Sequence, residues 1–393
     1  MNMPSARTPH IVVIGAGITG AIAAGHLAGT GAEVTLVSAR PGSTIMHAGP
    51  WALGREALGQ IRPALAEVMP DALEAIQAAL PELALEAAAG PYVDVEGVSW
   101  RGEWAPATHR AQAQLPEGYA VVDLAPLGQP FATLVNFESG CPVLTVDWPA
   151  EGCFGRSFAW AAGRVDADEG AFDALVQALT AAISKAPGSI SGLLLPPIAG
   201  LRQPAETLKR LQAQVGLPLA EAVGGTPSTP GLRLHMALDR WIASLPVQRI
   251  QGEVSRVDAS PLTVHLPDQT LSPDAVIVAT GGVIPGGLRE LEEGMCEPLT
   301  EVHLTPKLPV NPLEAAAPEG PWGGPLFRVG VPTDADLRLI HPNGEPLHPC
   351  LFAAGDLLAA GDAVVSGWAS GLCLASGWFA AQKALKATAL EVS

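Results

Sequence analysis

Basic residues are scarce in this 393-residue sequence. There are 22 lysines and arginines against 39 aspartates and glutamates, which gives a net charge of −17. A protein that binds nucleic acid or an anionic membrane surface needs a positively charged face. The charge balance therefore argues against both as direct partners.

Cysteines are few and scattered. Their number is odd, no C-x-x-C pair occurs, and the five positions are Cys141, Cys153, Cys296, Cys350 and Cys373. This distribution encodes no iron–sulfur or zinc site and is typical of a reducing compartment. We expect no metal and a cytoplasmic location. No P-loop and no Ser-His-Asp arrangement can be argued, so the catalytic acid and base stay unknown.

Long hydrophobic runs are also rare. The first apolar run ends in a glycine turn, so no secretory signal is predicted. Residues 363–382 carry no charge and are nearly long enough to span a bilayer. Glycine, alanine and serine dominate that segment, and Asp356 and Asp362 lie just upstream. We therefore predict a buried helix in a soluble protein.

Hydrophobic residues are abundant, at 48% of the chain, beside 43 glycines and 37 prolines. The most informative stretch is 10–40, HIVVIGAGITGAIAAGHLAGTGAEVTLVSAR, which predicts a strand, a glycine turn, a helix and a second strand. Gly15, Gly17 and Gly20 follow the first strand in G-x-G-x-x-G spacing. They permit a sharp turn, the approach of a pyrophosphate and close packing of the helix. The stretch predicts a nucleotide-binding Rossmann unit.

The end of the second strand departs from this pattern. An Asp or Glu usually stands there to bind the ribose hydroxyls. Here Ser38 holds the position, and a serine binds a hydroxyl more weakly than a carboxylate does. Arg40 instead suggests a 2′-phosphate, as in NADP sites. The first motif therefore predicts a nucleotide without specifying which one.

The rest of the chain predicts further helices and strands. Helices are expected at 55–67, 70–80, 170–184, 204–215 and 366–386, and one after an N-cap at Thr229. Strand-like runs between Tyr92 and Trp148 predict an antiparallel sheet in a small inserted domain. Strands at 254–257, 262–266, 275–279 and 350–354 are expected to return to the Rossmann sheet.

Glycine clusters follow two of these late strands. DAVIVATGG ends at Thr280 and Gly281, CLFAAGD ends at Gly355 and Asp356, and SGWASG opens the last helix. Ligands of open α/β sheets bind at the carboxyl ends of the strands. With the G-x-G-x-x-G turn after the first strand, three glycine clusters lie at the ends of strands, and together they predict one shared nucleotide site.

In this order the clusters resemble those of two-dinucleotide-binding flavoproteins such as the fumarate reductase group. The resemblance implies an α/β fold, with a Rossmann-like FAD/NAD(P)-binding domain built from both chain ends and an inserted α+β substrate or cap domain. It implies domains at 1–90, 91–226 and 227–393, the last with an excursion at 283–327. It assigns cofactor contacts to Gly15, Gly17, Gly20, Thr280, Gly281, Gly355 and Asp356, and to Gly367, Trp368, Ser370 and Gly371 at the start of the last helix. Further candidates follow from their positions in the sequence: Ser38 and Arg40 after the second strand, and Ser43, Thr44, His47 and Gly49 on the loop expected to pass the flavin ring. For His47 a solvated loop histidine is the alternative.

A closer resemblance covers nearly the whole chain. STIMHAGPWAL, APLGQPFAT, STPGLRLHMALDRW, GVPTDADLR and LFAAGD followed by GLC are similar to the B subunits of anaerobic glycerol-3-phosphate dehydrogenases. The resemblance implies a flavoprotein oxidoreductase with two partners, a catalytic flavoprotein (the A subunit) and a membrane-associated iron–sulfur protein (the C subunit). Such a complex oxidises glycerol 3-phosphate to dihydroxyacetone phosphate in anaerobic respiration and passes electrons to quinone. Attachment to the inner membrane would then be peripheral, through the partners.

Two departures leave alternatives open. Trp368 stands where the family has a glycine-rich run, and Ser38 replaces the acidic residue. The glycine motifs favour FAD, whereas the family is usually assigned FMN. A non-catalytic assembly or electron-relay subunit is one alternative function. A stand-alone FAD-dependent dehydrogenase or oxidase acting on another small substrate is the other.

Overall fold

The computed structural model describes most of the chain. The described residues are 7–47, 49–87, 90, 92–93, 99–100, 102–109, 117–128, 140–149, 151–224, 228–291, 294–305, 308, 325–359 and 369–391. The helices are α1 Ile18–Ala28, α2 Arg55–Ile61, α3 Pro63–Ala79, α4 Phe158–Ala167, α5 Glu169–Lys185, α6 Pro204–Val215, α7 Thr229–Ala243 and α8 Ala369–Glu391.

The strands are short and distributed along the whole chain. They are β1 His10–Ile14, β2 Glu33–Ser38, β3 Leu85–Ala87, β4 Tyr92–Val93, β5 Ser99–Trp100, β6 Trp104–Pro106, β7 Tyr119–Leu124, β8 Val143–Val146, β9 Gly192–Leu195, β10 Leu219–Glu221, β11 Val247–Gln251, β12 Arg256–Ala259, β13 Leu262–His265, β14 Thr270–Leu271, β15 Ala275–Val278, β16 Arg289–Leu291, β17 Gly294–Glu297, β18 Val302–His303 and β19 Leu351–Ala353.

The described chain divides into two compact units. Unit 1 comprises Met1–Ser43, Leu53–Ile76 and Leu238–Ser393. Unit 2 comprises Thr44–Ala52 and Gln77–Ala237. Each unit has its own parallel sheet.

The main sheet of unit 1 has the order β11-β2-β1-β15-β19, and every pair in it is parallel. In β1 and β15, consecutive apolar side chains are buried, as expected for strands covered on both faces. The predicted α/β fold with a sheet built from both ends of the chain is confirmed.

Strands 254–257 and 262–266 do not join this sheet, contrary to the prediction. β12, β13 and β14 instead form a separate antiparallel sheet. The edge strand β11, which the sequence pattern did not predict, takes the outer place beside β2. Its sequence, VQRIQ, has only two apolar residues, so it lacks the pattern of a buried strand.

The main sheet of unit 2 has the order β10-β9-β7-β8 and is parallel throughout. The prediction of an antiparallel sheet is wrong for β7 and β8. Val121 and Val122 are adjacent and both fully buried, so β7 is covered on both faces. Among the described residues of this unit, β3 pairs with β6 and β4 with β5 in antiparallel fashion, and an antiparallel bridge joins Trp51 to Trp104.

Local signals set some of the helix boundaries. Asp168 caps α5 by accepting hydrogen bonds from Gly170 N at 2.9 Å and Ala171 N at 3.3 Å. The cap of α7 is Ser228, whose Oγ accepts from Gly231 N at 2.9 Å, and not Thr229 as predicted. The break expected at Pro70 is absent, because α3 runs through it. The interruption lies instead at Arg62, before Pro63.

No helix among the described residues combines the length and apolarity that a membrane span requires. In α8, which includes most of the uncharged segment, the side chains of Leu372, Leu374 and Ala375 are at most 1% exposed. This agrees with the predicted buried helix.

Candidate functional site

The turn after β1 requires its first glycine. Gly15 has a φ of +112°, a region that favours glycine. A Cβ there would lie 2.2 Å from the carbonyl oxygen of Ala279 at the end of β15. Gly15 N also donates to Val37 O at 2.8 Å. The turn is therefore held between the two neighbouring strands by backbone contacts.

The other two glycines of the motif belong to α1. Gly17 is its N-cap, with φ −74° and ψ −173°, and no side chain of the described residues caps the helix. The first turn also contains no acidic residue, so the positive end of the helix dipole is left uncompensated. A Cβ at Gly20 would lie 1.7 Å from Gly15 O, so this glycine lets the helix pack onto the turn.

The cluster after β15 lies at the same edge of the sheet. The Thr280 hydroxyl is buried and has no hydrogen-bond partner within the described part of the chain. Gly281 has a φ of +82°. A Cβ at Gly282 would lie 3.3 Å from Asp356 Cβ, so the turns after β15 and β19 are in contact. Thr280 is a buried hydroxyl suited to a ligand.

The cluster after β19 packs on the first turn of α1. Gly355 has a φ of +77°, and a Cβ there would lie 2.4 Å from Thr19 Oγ1. Gly355 N donates to Ser376 Oγ at 2.8 Å. Sequence reasoning missed Thr19 and Ser376, because a threonine and a serine inside helices carry no motif.

Asp356 is the acidic group of this region. Burial raises the pKa of its carboxyl, because ionisation is disfavoured where water is excluded. The Cys373 thiol donates to Asp356 Oδ1 at 3.7 Å, a long hydrogen bond from sulfur. A ligand hydroxyl donating to Asp356 would stabilise its charged form.

The final helix approaches α1 closely. A Cβ at Gly377 would lie 2.5 Å from Thr19 O, and one at Gly371 would lie 1.8 Å from Leu53 O. Ser370 is buried. Gly367 and Trp368 lie outside the described residues.

Ser38 and Arg40 lie at the far side of the β1 turn. Ser38 follows Val37, which pairs with Ile14, so it stands beside Gly15 in register. Arg40 is exposed and reaches Glu253 at 4.0 Å. We call the residues that meet at this edge, Gly15, Gly17, Gly20, Thr280, Gly281, Gly355 and Asp356, the nucleotide cradle. The structure brings them together, and ligand contacts at each of them remain a prediction.

The predicted loop residues fall in both units. Ser43 belongs to unit 1, whereas Thr44, His47 and Gly49 belong to unit 2. Gly49 has a φ of +122°, and its N–H donates to His47 Nδ1 at 3.1 Å. Burial and the nearby imidazole of His109 lower the pKa of His47 to about 4, so it is neutral at pH 7.

Unit 2 contains a buried polar cluster around this loop. Arg233 donates from Nη1 to Glu221 Oε2 at 2.7 Å and from Nη2 to Oε1 at 3.0 Å. Glu221 also accepts from Ala199 N, and Arg233 Nε donates to Gly200 O. Arg233 is 2% exposed, so the fold buries this charged residue of α7 together with its carboxylate partner.

His109 completes the cluster. Burial lowers its pKa to about 4, while Glu221 and Arg233 act on it with opposite signs. We call His47, Gly49, His109, Glu221 and Arg233 the histidine cluster. No sequence signal marks His109 or Glu221, because they come from distant segments that only the fold joins. Among the described residues there is no group of three or more side chains that could hold a metal ion.

No known protein-family profile matches the chain. A curated protein of Halobacterium salinarum, present in two strains, is 26% identical over 311 residues, which is 71% of each chain. Its name is that of a probable B subunit of anaerobic glycerol-3-phosphate dehydrogenase. The resemblance to these B subunits is confirmed.

Solved structures give weaker matches. The 3-ketosteroid Δ1-dehydrogenase of Sterolibacterium denitrificans is 11% identical, with a TM-score of 0.41 over 98% of this chain and 100% of that one. A flavocytochrome c3 fumarate reductase is also 11% identical, with a TM-score of 0.40 over 98% of this chain and 79% of that one. At these values neither match supports an inference about function.

Proposed function

We propose that this chain is a flavin-binding oxidoreductase subunit, the B subunit of a complex that oxidises glycerol 3-phosphate to dihydroxyacetone phosphate and delivers electrons to quinone. The single observation that carries the proposal is the meeting of three glycine turns at the carboxyl edge of one parallel sheet. The name of the H. salinarum relatives supports the choice of substrate and of a multi-subunit assembly. The partners would be a catalytic flavoprotein (the A subunit) and an iron–sulfur protein (the C subunit), which attaches the complex to the inner membrane from the cytoplasm.

The residues of the nucleotide cradle fit a flavin dinucleotide. The N-terminus of α1 offers backbone N–H groups and a positive dipole end to a pyrophosphate. The Thr280 hydroxyl is buried and unpaired within the described chain, and a ligand atom would satisfy it. Asp356 would accept a hydrogen bond from a ribityl or ribose hydroxyl. These contacts favour FAD, although FMN remains the cofactor usual for the family.

A bound flavin supplies an acceptor for a hydride or for single electrons. The chain itself supplies binding and orientation. Glycine at three turns keeps side chains away from the phosphates, and α1 directs its dipole toward their charge.

The experiment that tests this function is identification of the bound cofactor. The purified protein, as isolated or after reconstitution with FAD or FMN, is expected to show flavin absorbance, and mass spectrometry of the released ligand identifies it. Absence of flavin absorbance in both preparations would refute the proposal.

Gly17→Val separates cofactor binding from folding. The φ of Gly17, −74°, is accessible to any residue, so a side chain there is expected to block the pyrophosphate without straining the backbone. Gly42→Ala is the matched control, because a Cβ at Gly42 meets nothing within 4 Å. We expect the first variant to lose flavin and the second to keep it.

A second function, a non-catalytic assembly or electron-relay subunit, is favoured by Ser38, which lacks the carboxylate usual for binding ribose hydroxyls. The same Gly17→Val variant tests it in the reconstituted complex. A purely structural subunit predicts full activity of the complex despite the substitution, whereas a flavin-dependent subunit predicts its loss.

A further inference from the structure

His109 has one ring nitrogen engaged and one without a partner. Thr108 Oγ1 lies 3.0 Å from His109 Nδ1. The side chain is 3% exposed, and its Nε2 is buried without a hydrogen-bond partner in the described part of the chain. A buried polar atom without a hydrogen-bond partner destabilises the folded protein unless a ligand or a water molecule forms that hydrogen bond.

The tautomers of the two histidines follow from their partners. The carbonyl of Pro106 favours a protonated nitrogen on His109. Because Nε2 has no acceptor near it among the described residues, that proton belongs on Nδ1. Nε2 then carries a lone pair and can only accept. In His47 the N–H of Gly49 donates to Nδ1, so His47 Nε2 carries the proton and is a donor.

The backbone of Gly49 lies against the ring of His109. A Cβ at Gly49 would lie 3.0 Å from His109 Nε2, which is tighter than ordinary contact. Thr229, beside the α7 cap, adds a second buried hydroxyl without a partner among the described residues. His109 Nε2 and the Thr229 hydroxyl are therefore two buried polar atoms of unit 2 without a partner among the described residues.

The charge of the histidine cluster determines which chemical class of ligand it can bind. Both imidazoles are neutral at pH 7 because burial lowers each pKa to about 4. Arg233, the cation of this cluster, is committed to Glu221 and to Gly200 O. A phosphate or carboxylate would find no spare positive charge in the cluster, whereas a hydroxyl can donate to a neutral imidazole.

We propose that His109 Nε2 accepts a hydrogen bond from a hydroxyl group of a small polyol ligand, at a position bordered by His47 and Gly49. This subsite deepens the proposed function and rests on it for the choice of glycerol 3-phosphate as a probe. It places the hydroxyl end of that probe, and not its phosphate, at the histidine cluster.

The first test is a titration of the full-length protein labelled with ¹⁵N-histidine. The resonance of His109 Nε2 is assigned as the one missing from His109→Gln. Glycerol and glycerol 3-phosphate are each expected to shift it, and inorganic phosphate is expected to leave it unchanged. A failure of both polyols, or an equal shift with inorganic phosphate, would overturn the proposal.

The second test compares two substitutions of His109. Gln places an amide near the lost Nε2, whereas Asn reaches only the position of Nδ1. His109→Asn is expected to weaken the binding of glycerol 3-phosphate about tenfold, which is the loss of one buried hydrogen bond, and His109→Gln should retain more of the affinity. Equal losses would indicate a packing role and contradict the proposal. His341→Asn, at an exposed position, is the control.

The outcomes separate this subsite from the proposed function. If the protein binds no flavin but polyols still shift His109, the subsite stands and the oxidoreductase assignment fails. If flavin binds and His109 does not respond, the subsite fails alone. Should both His109 variants prove unfolded, the resonance is assigned in the unsubstituted protein as the unprotonated Nε2 that persists at pH 5, as a pKa of about 4 requires, and its titration decides.

Discussion

The nucleotide cradle and the histidine cluster are polar regions of very different construction. The cradle is made of backbone turns, in which Gly15, Gly20 and Gly355 each leave room where a Cβ would meet another atom at 2.4 Å or less. The cluster is made of side chains, and its central ion pair, Arg233 with Glu221, is at most 2% exposed. One region depends on the absence of side chains and the other on their charges.

This difference predicts different sensitivities. The glycine turns of the cradle should respond to any added Cβ and hardly to pH, and Asp356 is the titratable group beside them. A side-chain cluster in a low-dielectric interior should tolerate changes of shape better than the loss of one charge. Substitutions and pH changes can therefore be aimed at each region separately.

The largest effect is expected from breaking the buried ion pair. Arg233→Met leaves the Glu221 carboxylate buried without its cation, which should lower the free energy of unfolding by about 3–5 kcal/mol. Urea denaturation measures this. The double variant Arg233→Met with Glu221→Leu should recover most of the loss, because no uncompensated charge remains. A double variant no more stable than the single one would contradict the electrostatic account.

The next largest effect is expected at the cradle. Gly20→Ala places a methyl group 1.7 Å from Gly15 O, and the displacement of α1 should cost about 2–3 kcal/mol. Gly42→Ala, which meets nothing within 4 Å, should change stability by less than about 0.5 kcal/mol. Similar losses in both variants, measured by urea denaturation, would show that the close packing of the cradle is not responsible.

The same contrast explains what the sequence could predict. The cradle was predictable because a glycine turn needs only local spacing, and β1, β2 and β15 carry unbroken or nearly unbroken apolar runs. Each of its turns could be recognised separately in the sequence. Because ligands bind at the carboxyl ends of strands in such sheets, the turns were predicted to lie together at one edge of the sheet.

The histidine cluster could not be predicted in this way. His109 and Glu221 follow no motif, and Arg233 looks like a surface residue on an amphipathic helix until the fold buries it. The parallel sheet of unit 2 was missed for a related reason. Whether β7 pairs parallel or antiparallel depends on distant strands, and its short sequence does not encode the choice.

The histidine cluster should also make stability depend on pH. His47 and His109 have folded-state pKa values of about 4, below the ordinary 6.5, so the unfolded chain binds more protons between these values. Stability should therefore be complete about one pH unit above 6.5 and fall as the pH drops toward 4, with a loss of about 1–2 kcal/mol between pH 7.5 and pH 6. Urea denaturation across this range measures the slope. A variant with both histidines replaced by glutamine should have a flatter profile, and an unchanged slope would contradict the assignment.

Asp356 should give the smallest effect on stability and one of opposite sign. Its folded-state pKa is raised by burial, so the native state retains the proton longer than the unfolded chain, and stability declines as the pH rises through that interval. Asp356→Asn removes a carboxylate that is costly to ionise, so the flavin-free protein should melt at a slightly higher temperature at pH 7.

The same substitution should weaken flavin affinity about tenfold or more, because a charged acceptor for a ligand hydroxyl is lost. Calorimetry of the free protein and flavin titration measure the two effects. A variant that lost stability while keeping its flavin would show that Asp356 supports the fold and not the ligand.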